Sequence, residues 1–117
     1  MKTTWLTPTL AVSPQIQLSD LTQVKAQGFQ AIINNRPDGE VPGQPSSDAL
    51  EAEALRLGLS YTYLPIAPGE SNDHDAAAFS RALHEAKGPV LAFCRSGSRS
   101  AILWKHAVEL QSGDPEC

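Results

Sequence analysis

The chain has 117 residues, long enough for one hydrophobic core and too short for two, so a single domain over residues 1–117 is expected. Nine basic residues face thirteen acidic ones, for a formal net charge of -4, and no basic stripe is present, which argues against a nucleic-acid partner. No run reaches the roughly 18 apolar residues of a membrane span and the first residues lack the apolar core of a signal peptide, so no membrane partner and a cytoplasmic location are expected.

In chain order, residues 5–12 suit a short edge strand or hairpin beside prolines. Ser19 is a plausible N-cap for a helix on which Leu18, Leu21, Val24 and Phe29 follow helical spacing, with Gly28 placed to stop it. Residues 29–34 then read as a strand, with Ala31, Ile32 and Ile33 apolar on both faces as a buried parallel strand requires. The loop at residues 35–45 is too rich in Pro, Gly and charge for a regular element. Ser46 or Ser47 caps a second helix that shares Leu50, Ala54 and Leu57 on one face and ends at Gly58. After a strand at residues 61–66 comes a polar loop carrying Glu70, Asp73 and Asp75, and a third helix over residues 75–86 buries Ala76, Phe79, Leu83 and Ala86. Residues 112–117 read as a flexible tail ending in Cys117, a solvent-exposed bystander rather than a resolving thiol.

This alternation predicts an α/β fold, a central mostly parallel sheet flanked by helices. With parallel strands, the segments after Asn34, Ile66 and Phe93 all emerge at the carboxyl edge, where ligands gather in such sheets.

One of those segments carries chemistry. Val90-Leu91-Ala92-Phe93 is an apolar strand that delivers Cys94 into the small polar loop Arg95-Ser96-Gly97-Ser98-Arg99-Ser100, followed by a helix read over residues 101–107. Loop N–H groups at a helix start lack intrahelical partners and form an anion site, so a cysteine there, near Arg95 and Arg99, is favoured as thiolate. A packed structural cysteine has no need of Gly97 for close backbone approach, of hydroxyls at Ser96 and Ser98, or of a downstream guanidinium fork. The expected ligand is a small anionic or phosphorylated molecule.

A thiolate above a ring of donors can attack phosphorus or sulfur. Phosphate ester hydrolysis benefits from a general acid, for which Glu70, Asp73, Asp75 and Asp38 compete. Sulfur transfer runs through a persulfide and needs a thiol acceptor as partner. A cradle that binds an anion or partner without turnover is the third reading. His74, His84 and His106 suit neither a zinc finger nor a helical metal pair, so no metal or cofactor is expected and these side chains read as surface or capping residues.

Nearly the whole chain, residues 5–109, resembles the phosphatase-like domain of bacterial beta-lactamase hydrolase-like proteins. The resemblance rests on Ile32-Ile33-Asn34-Asn35-Arg36-Pro37-Asp38-Gly39-Glu40, on Gly43-Gln44-Pro45-Ser46 and on the stretch from Val90 to Ser100. It implies a fold similar to the dual-specificity phosphatases, with Cys94 as nucleophile and Arg99 as anion clamp. It further implies that the Ser100 hydroxyl bonds the thiolate and that Glu70 stands nearest the position of the general acid, with Asp73 close. Four residues separate Cys94 from Arg99, one fewer than tyrosine and dual-specificity phosphatases place there. That spacing is similar to the active loop of rhodanese-type sulfurtransferases, and members of the family carry both labels.

Overall fold

The computed structural model describes residues 2–112, and side chains over residues 2–110. Its elements are β1 (Thr4–Thr7), β2 (Leu10–Ser13), a 3-10 turn (Leu18–Asp20), α1 (Leu21–Ala26), β3 (Ala31–Asn34), α2 (Ser47–Arg56), β4 (Ser60–Tyr63), α3 (Asp73–Glu85), β5 (Val90–Phe93) and α4 (Ser98–Ser112).

The five strands form one sheet in the order β1-β2-β5-β3-β4. β1 runs antiparallel to β2 as a hairpin, and every other pairing is parallel. The opening segment is thus a hairpin whose second strand lies inside the sheet. Strands β2, β3 and β5 are buried on both faces, and their alternate residues feed two cores. Leu10, Val12, Ala31, Ile33, Val90 and Ala92 pack with Ala76 and Phe79 of α3 and Leu103 and Ala107 of α4. Ala11, Ile32, Leu91 and Phe93 pack with Leu21 and Val24 of α1 and Leu50 and Ala54 of α2. Each fully buried Leu, Ile or Phe contributes about 1.5–3 kcal/mol of transfer free energy, so this two-sided burial holds the strands in one register.

Several local expectations shift. Ser19 lies inside the 3-10 turn rather than capping a helix; the Asp20 carboxylate accepts the Gln17 N–H at 2.8 Å, and Phe29 belongs to the core beyond the helix. Ser46 does cap α2, accepting from Ala49 N–H at 3.1 Å, and Gly28 and Gly58 follow α1 and α2 at φ 96° and 82°. α3 starts at Asp73, with Asn72 as its cap, so Asp73 and Asp75 both sit in its first turn. α4 starts at Ser98, three residues earlier than residue 101, and reaches Ser112, the first residue of the expected tail. The rest of that tail, with Cys117, lies outside the described residues.

The register sets the site. Ser13 pairs with Phe93, Phe93 with Asn34, and Asn34 with Tyr63, so four strands end in one row and their following segments share one edge.

Candidate active site

Cys94 follows β5 directly and is fully buried. Its backbone N–H points back to Ser13 O at 3.4 Å, anchoring the loop to β2. Gly97 then turns with φ 94°, a left-handed value that L side chains resist, and brings its N–H to 3.1 Å from Cys94 Sγ. A Cβ at this position would stand 3.4 Å from the Ser13 carbonyl, so the left-handed φ rather than space is what favours glycine here. Ser96 and Ser98 hydroxyls meet at 2.8 Å across the outside of the loop, and Arg95, whose carbonyl accepts the Gln15 N–H at 3.2 Å, keeps its side chain exposed. The first turn of α4 therefore begins beside the sulfur with the positive end of its dipole at the loop, and the Ser98 N–H reaches Ser96 Oγ at 3.4 Å.

Arg99 lies in that first turn, and Glu40 organises it. The Arg99 terminal nitrogens donate to the two Glu40 oxygens at 2.7 and 2.8 Å, and one also donates to Ile66 O at 3.0 Å. Arg36 Nε donates at 2.8 Å to Glu40 Oε1, the oxygen that lies 2.8 Å from Arg99, and its terminal nitrogen reaches Gln15 Oε1 at 3.0 Å. Hydrogen bonds from Arg99, then from Arg36, hold the Glu40 carboxyl down to about 2 against the opposing effect of burial. Arg99 is in turn held above its ordinary value, by Glu40 first, with the nearby Cys94 adding to the effect.

Ser100 departs from expectation. Its buried hydroxyl donates to Asn35 Oδ1 at 2.8 Å, so its proton serves Asn35 rather than Cys94. Asn35 is fully buried and joins three elements: its N–H donates to Phe93 O and its side-chain amide to Leu64 O, at 2.8 and 2.9 Å. Asp38 is also committed elsewhere, accepting the Ser47 N–H at the start of α2 at 2.8 Å.

The loop after β4 forms the remaining wall. A cleft of about 540 Å³ opens between this loop and α4, lined among others by Ile66, Glu70, Arg99, Ile102 and His106. Glu70 is exposed on its rim, and no side-chain partner for its carboxylate exists among the described residues. Asp73 is not free in this way: its Oδ1 lies 2.7 Å from His106 Nε2.

The structure thus gathers Cys94, Gly97, Arg99 and Glu70 at one edge, turns Ser100 to Asn35 and pairs Asp73 with a histidine. Sequence reasoning missed Glu40 and His106. The signal for Glu40 was a carboxylate on a loop at the strand ends, opposite two arginines.

A cysteine-bearing loop between a central parallel strand and a helix start, in this sheet order, is the cysteine-phosphatase-like fold. The chain matches the family model of the beta-lactamase hydrolase-like protein, phosphatase-like domain, over residues 2–110, and it belongs to that family. It is 36% identical over 104 residues to a beta-lactamase hydrolase-like protein of Agrobacterium fabrum, covering 89% of this chain and 24% of that protein. The chain therefore spans about a quarter of the length of that curated relative. Among solved structures, a candidate phosphatase of Neisseria meningitidis Z2491 superposes with a TM-score of 0.82 at 32% identity, over 95% of this chain and 78% of that one. Kinase-associated phosphatase, solved with its catalytic-site cysteine replaced by serine, shares the fold with a TM-score of 0.68 at 18% identity, over 86% and 65% of the two chains.

Proposed function

We propose that this domain hydrolyses phosphate monoesters through a cysteinyl-phosphate on Cys94. The observation that carries the reading is the Gly97 N–H at 3.1 Å from Cys94 Sγ, which supports a sulfur held at a helix start where an anion would be favoured. Membership of a phosphatase-like family supports the same chemistry.

In the first step the Cys94 sulfur attacks phosphorus as the bond to the ester oxygen breaks, and Glu70, protonated, gives its proton to the departing oxygen. Loop N–H groups over residues 95–98 and the Arg99 guanidinium stabilise the charge spread over the equatorial oxygens. In the second step water attacks the cysteinyl-phosphate, Glu70 takes up the water's proton, and the phosphorus–sulfur bond breaks to release inorganic phosphate and restore the thiolate. The organic part of the ester lies in the cleft between the loop after β4 and α4, beside Ile102.

The test is a single-turnover assay with 4-nitrophenyl phosphate. A burst of nitrophenol stoichiometric with enzyme and absent in Cys94→Ser is expected; no Cys94-dependent burst would overturn the reading.

The four-residue spacing between Cys94 and Arg99 favours a second reading, sulfur transfer. Attack of the Cys94 thiolate on the outer sulfur of thiosulfate would release sulfite and leave a persulfide for a thiol to remove. Intact-mass measurement after thiosulfate treatment distinguishes the two, since an unmodified Cys94 excludes this route.

A further inference from the structure

His106 lies on α4 seven residues after Arg99, hence two turns along the same helix face, and both line the cleft. Its ring bridges the segment that follows Glu70. Nδ1 stands 2.8 Å from Ser71 Oγ, and Nε2 stands 2.7 Å from Asp73 Oδ1. With its proton on Nε2, a neutral ring accepts from Ser71 and donates to Asp73, so both bonds form without any charge on the histidine. Between these two residues, Asn72 Oδ1 accepts the Asp75 N–H at 2.8 Å and so joins the same segment to α3. Residues 71–73 are therefore tied down in succession, and Glu70 is the last residue before them. Serine, histidine and aspartate also form hydrolytic triads. Here, however, the Asp73 side chain is 79% exposed and both outer residues belong to one short segment, which suits a clamp rather than a relay.

We propose that His106 is a positioning residue for the proton-transfer step: by holding Ser71 and Asp73 against α4, it keeps Glu70 on the Arg99 side of the cleft. This rests on the phosphatase reading above. The proton moves from the Glu70 carboxyl to the ester oxygen as the phosphorus–oxygen bond breaks and the phosphorus–sulfur bond forms, and His106 neither gains nor loses one. Asp73 is accordingly an anchor, and Glu70 alone supplies the acid. A misplacement of about 1 Å in a reacting group can lower a rate about 100-fold, which is the scale available to such a clamp.

The experiment compares two esters on the full chain. 4-Nitrophenyl phosphate has a leaving group stable without a proton, whereas phenyl phosphate depends more on the acid. His106→Ala is expected to lower kcat on phenyl phosphate by about 10- to 100-fold, and to raise the ratio of 4-nitrophenyl to phenyl turnover by about 10-fold. His106→Gln, whose amide can still donate toward Asp73, is expected to recover part of that loss. In a Glu70→Gln background His106→Ala should add little, because the group it positions is already gone. Ser71→Ala, which removes one arm of the clamp, shifts the ratio in the same direction and carries the test if His106→Ala fails to fold. An equal loss on both esters, or effects of Glu70→Gln and His106→Ala that simply add, overturns the proposal. Absence of Cys94-dependent turnover on either ester overturns the underlying phosphatase reading as well.

Discussion

Arg99 and Glu40, fifty-nine positions apart in sequence, form a two-pronged ion pair at 2.7 and 2.8 Å beside the Cys94 loop. Arg36 binds the same carboxylate at 2.8 Å, so two guanidinium groups share one negative charge and the cluster keeps a net positive one. The guanidinium fork is thereby fixed in place, with the freedom of a floppy arginine removed.

Replacing Arg99 with lysine tests the fork rather than the charge. A lysine ammonium has three donors but no planar fork, so it cannot reproduce the two-pronged Glu40 contact while turning a second flat edge to an anion. Arg99→Lys is expected to lower kcat/KM for 4-nitrophenyl phosphate by about 100-fold or more, on the scale of losing one preorganised oxyanion donor. Glu40→Gln, which loosens the fork without removing it, is expected to lower it by about 10-fold. Steady-state kinetics decide this, and an Arg99→Lys enzyme within twofold of the parent would contradict it.

Glu40 also imposes a pH dependence on stability. Its carboxyl sits at about 2 in the folded chain against an ordinary 4.5, so the folded state binds the proton more weakly than the unfolded one. The stabilisation is therefore complete above about pH 4.5 and is lost as pH falls toward 2. Allowing for solvent screening at a partly open pair, its size is about 1–2 kcal/mol. Urea unfolding at pH 7 and at pH 3 should show a smaller loss of stability in Glu40→Gln than in the parent. Parallel acid losses in both would rule out this role.

The Ser100 to Asn35 hydrogen bond is wholly buried, so Ser100→Ala strands an oxygen that water cannot reach. The expected loss is about 1–3 kcal/mol, measured as a lower urea midpoint at an unchanged slope. An unchanged midpoint would show that Asn35 finds another donor.

Much of the architecture was legible from residue patterns. Ala31, Ile32 and Ile33 announced a strand buried on both faces, and Gly28 and Gly58 marked where helices stop, because both signals depend only on neighbours in sequence. Boundaries were less legible. Ser19 looked like a cap by composition, yet the Asp20 carboxylate met the Gln17 N–H and a 3-10 turn preceded α1. The start of α4 was read at residue 101, and its first turn instead takes in Arg99 and Ser100, because the Cys94 loop closes within Gly97.

The sequence by itself determined the cysteine-bearing loop: Cys94, Gly97 and Arg99 lie in one short stretch, and a tight turn into a helix places their groups together by local geometry alone. It also determined the family, through motifs at residues 32–40, 43–46 and 90–100. Only the tertiary structure decided which groups serve that loop. Glu40 reaches Arg99, Asn35 takes the Ser100 proton, and His106 holds Ser71 and Asp73, because parallel strands ending in one row bring distant loops to one edge. Hydrogen bonds and ion pairs act over a few ångströms of space, and several residues of chain can point the same polar group in any direction. Which carboxylate meets which guanidinium is therefore settled by strand register and by the packing of α4 against the sheet.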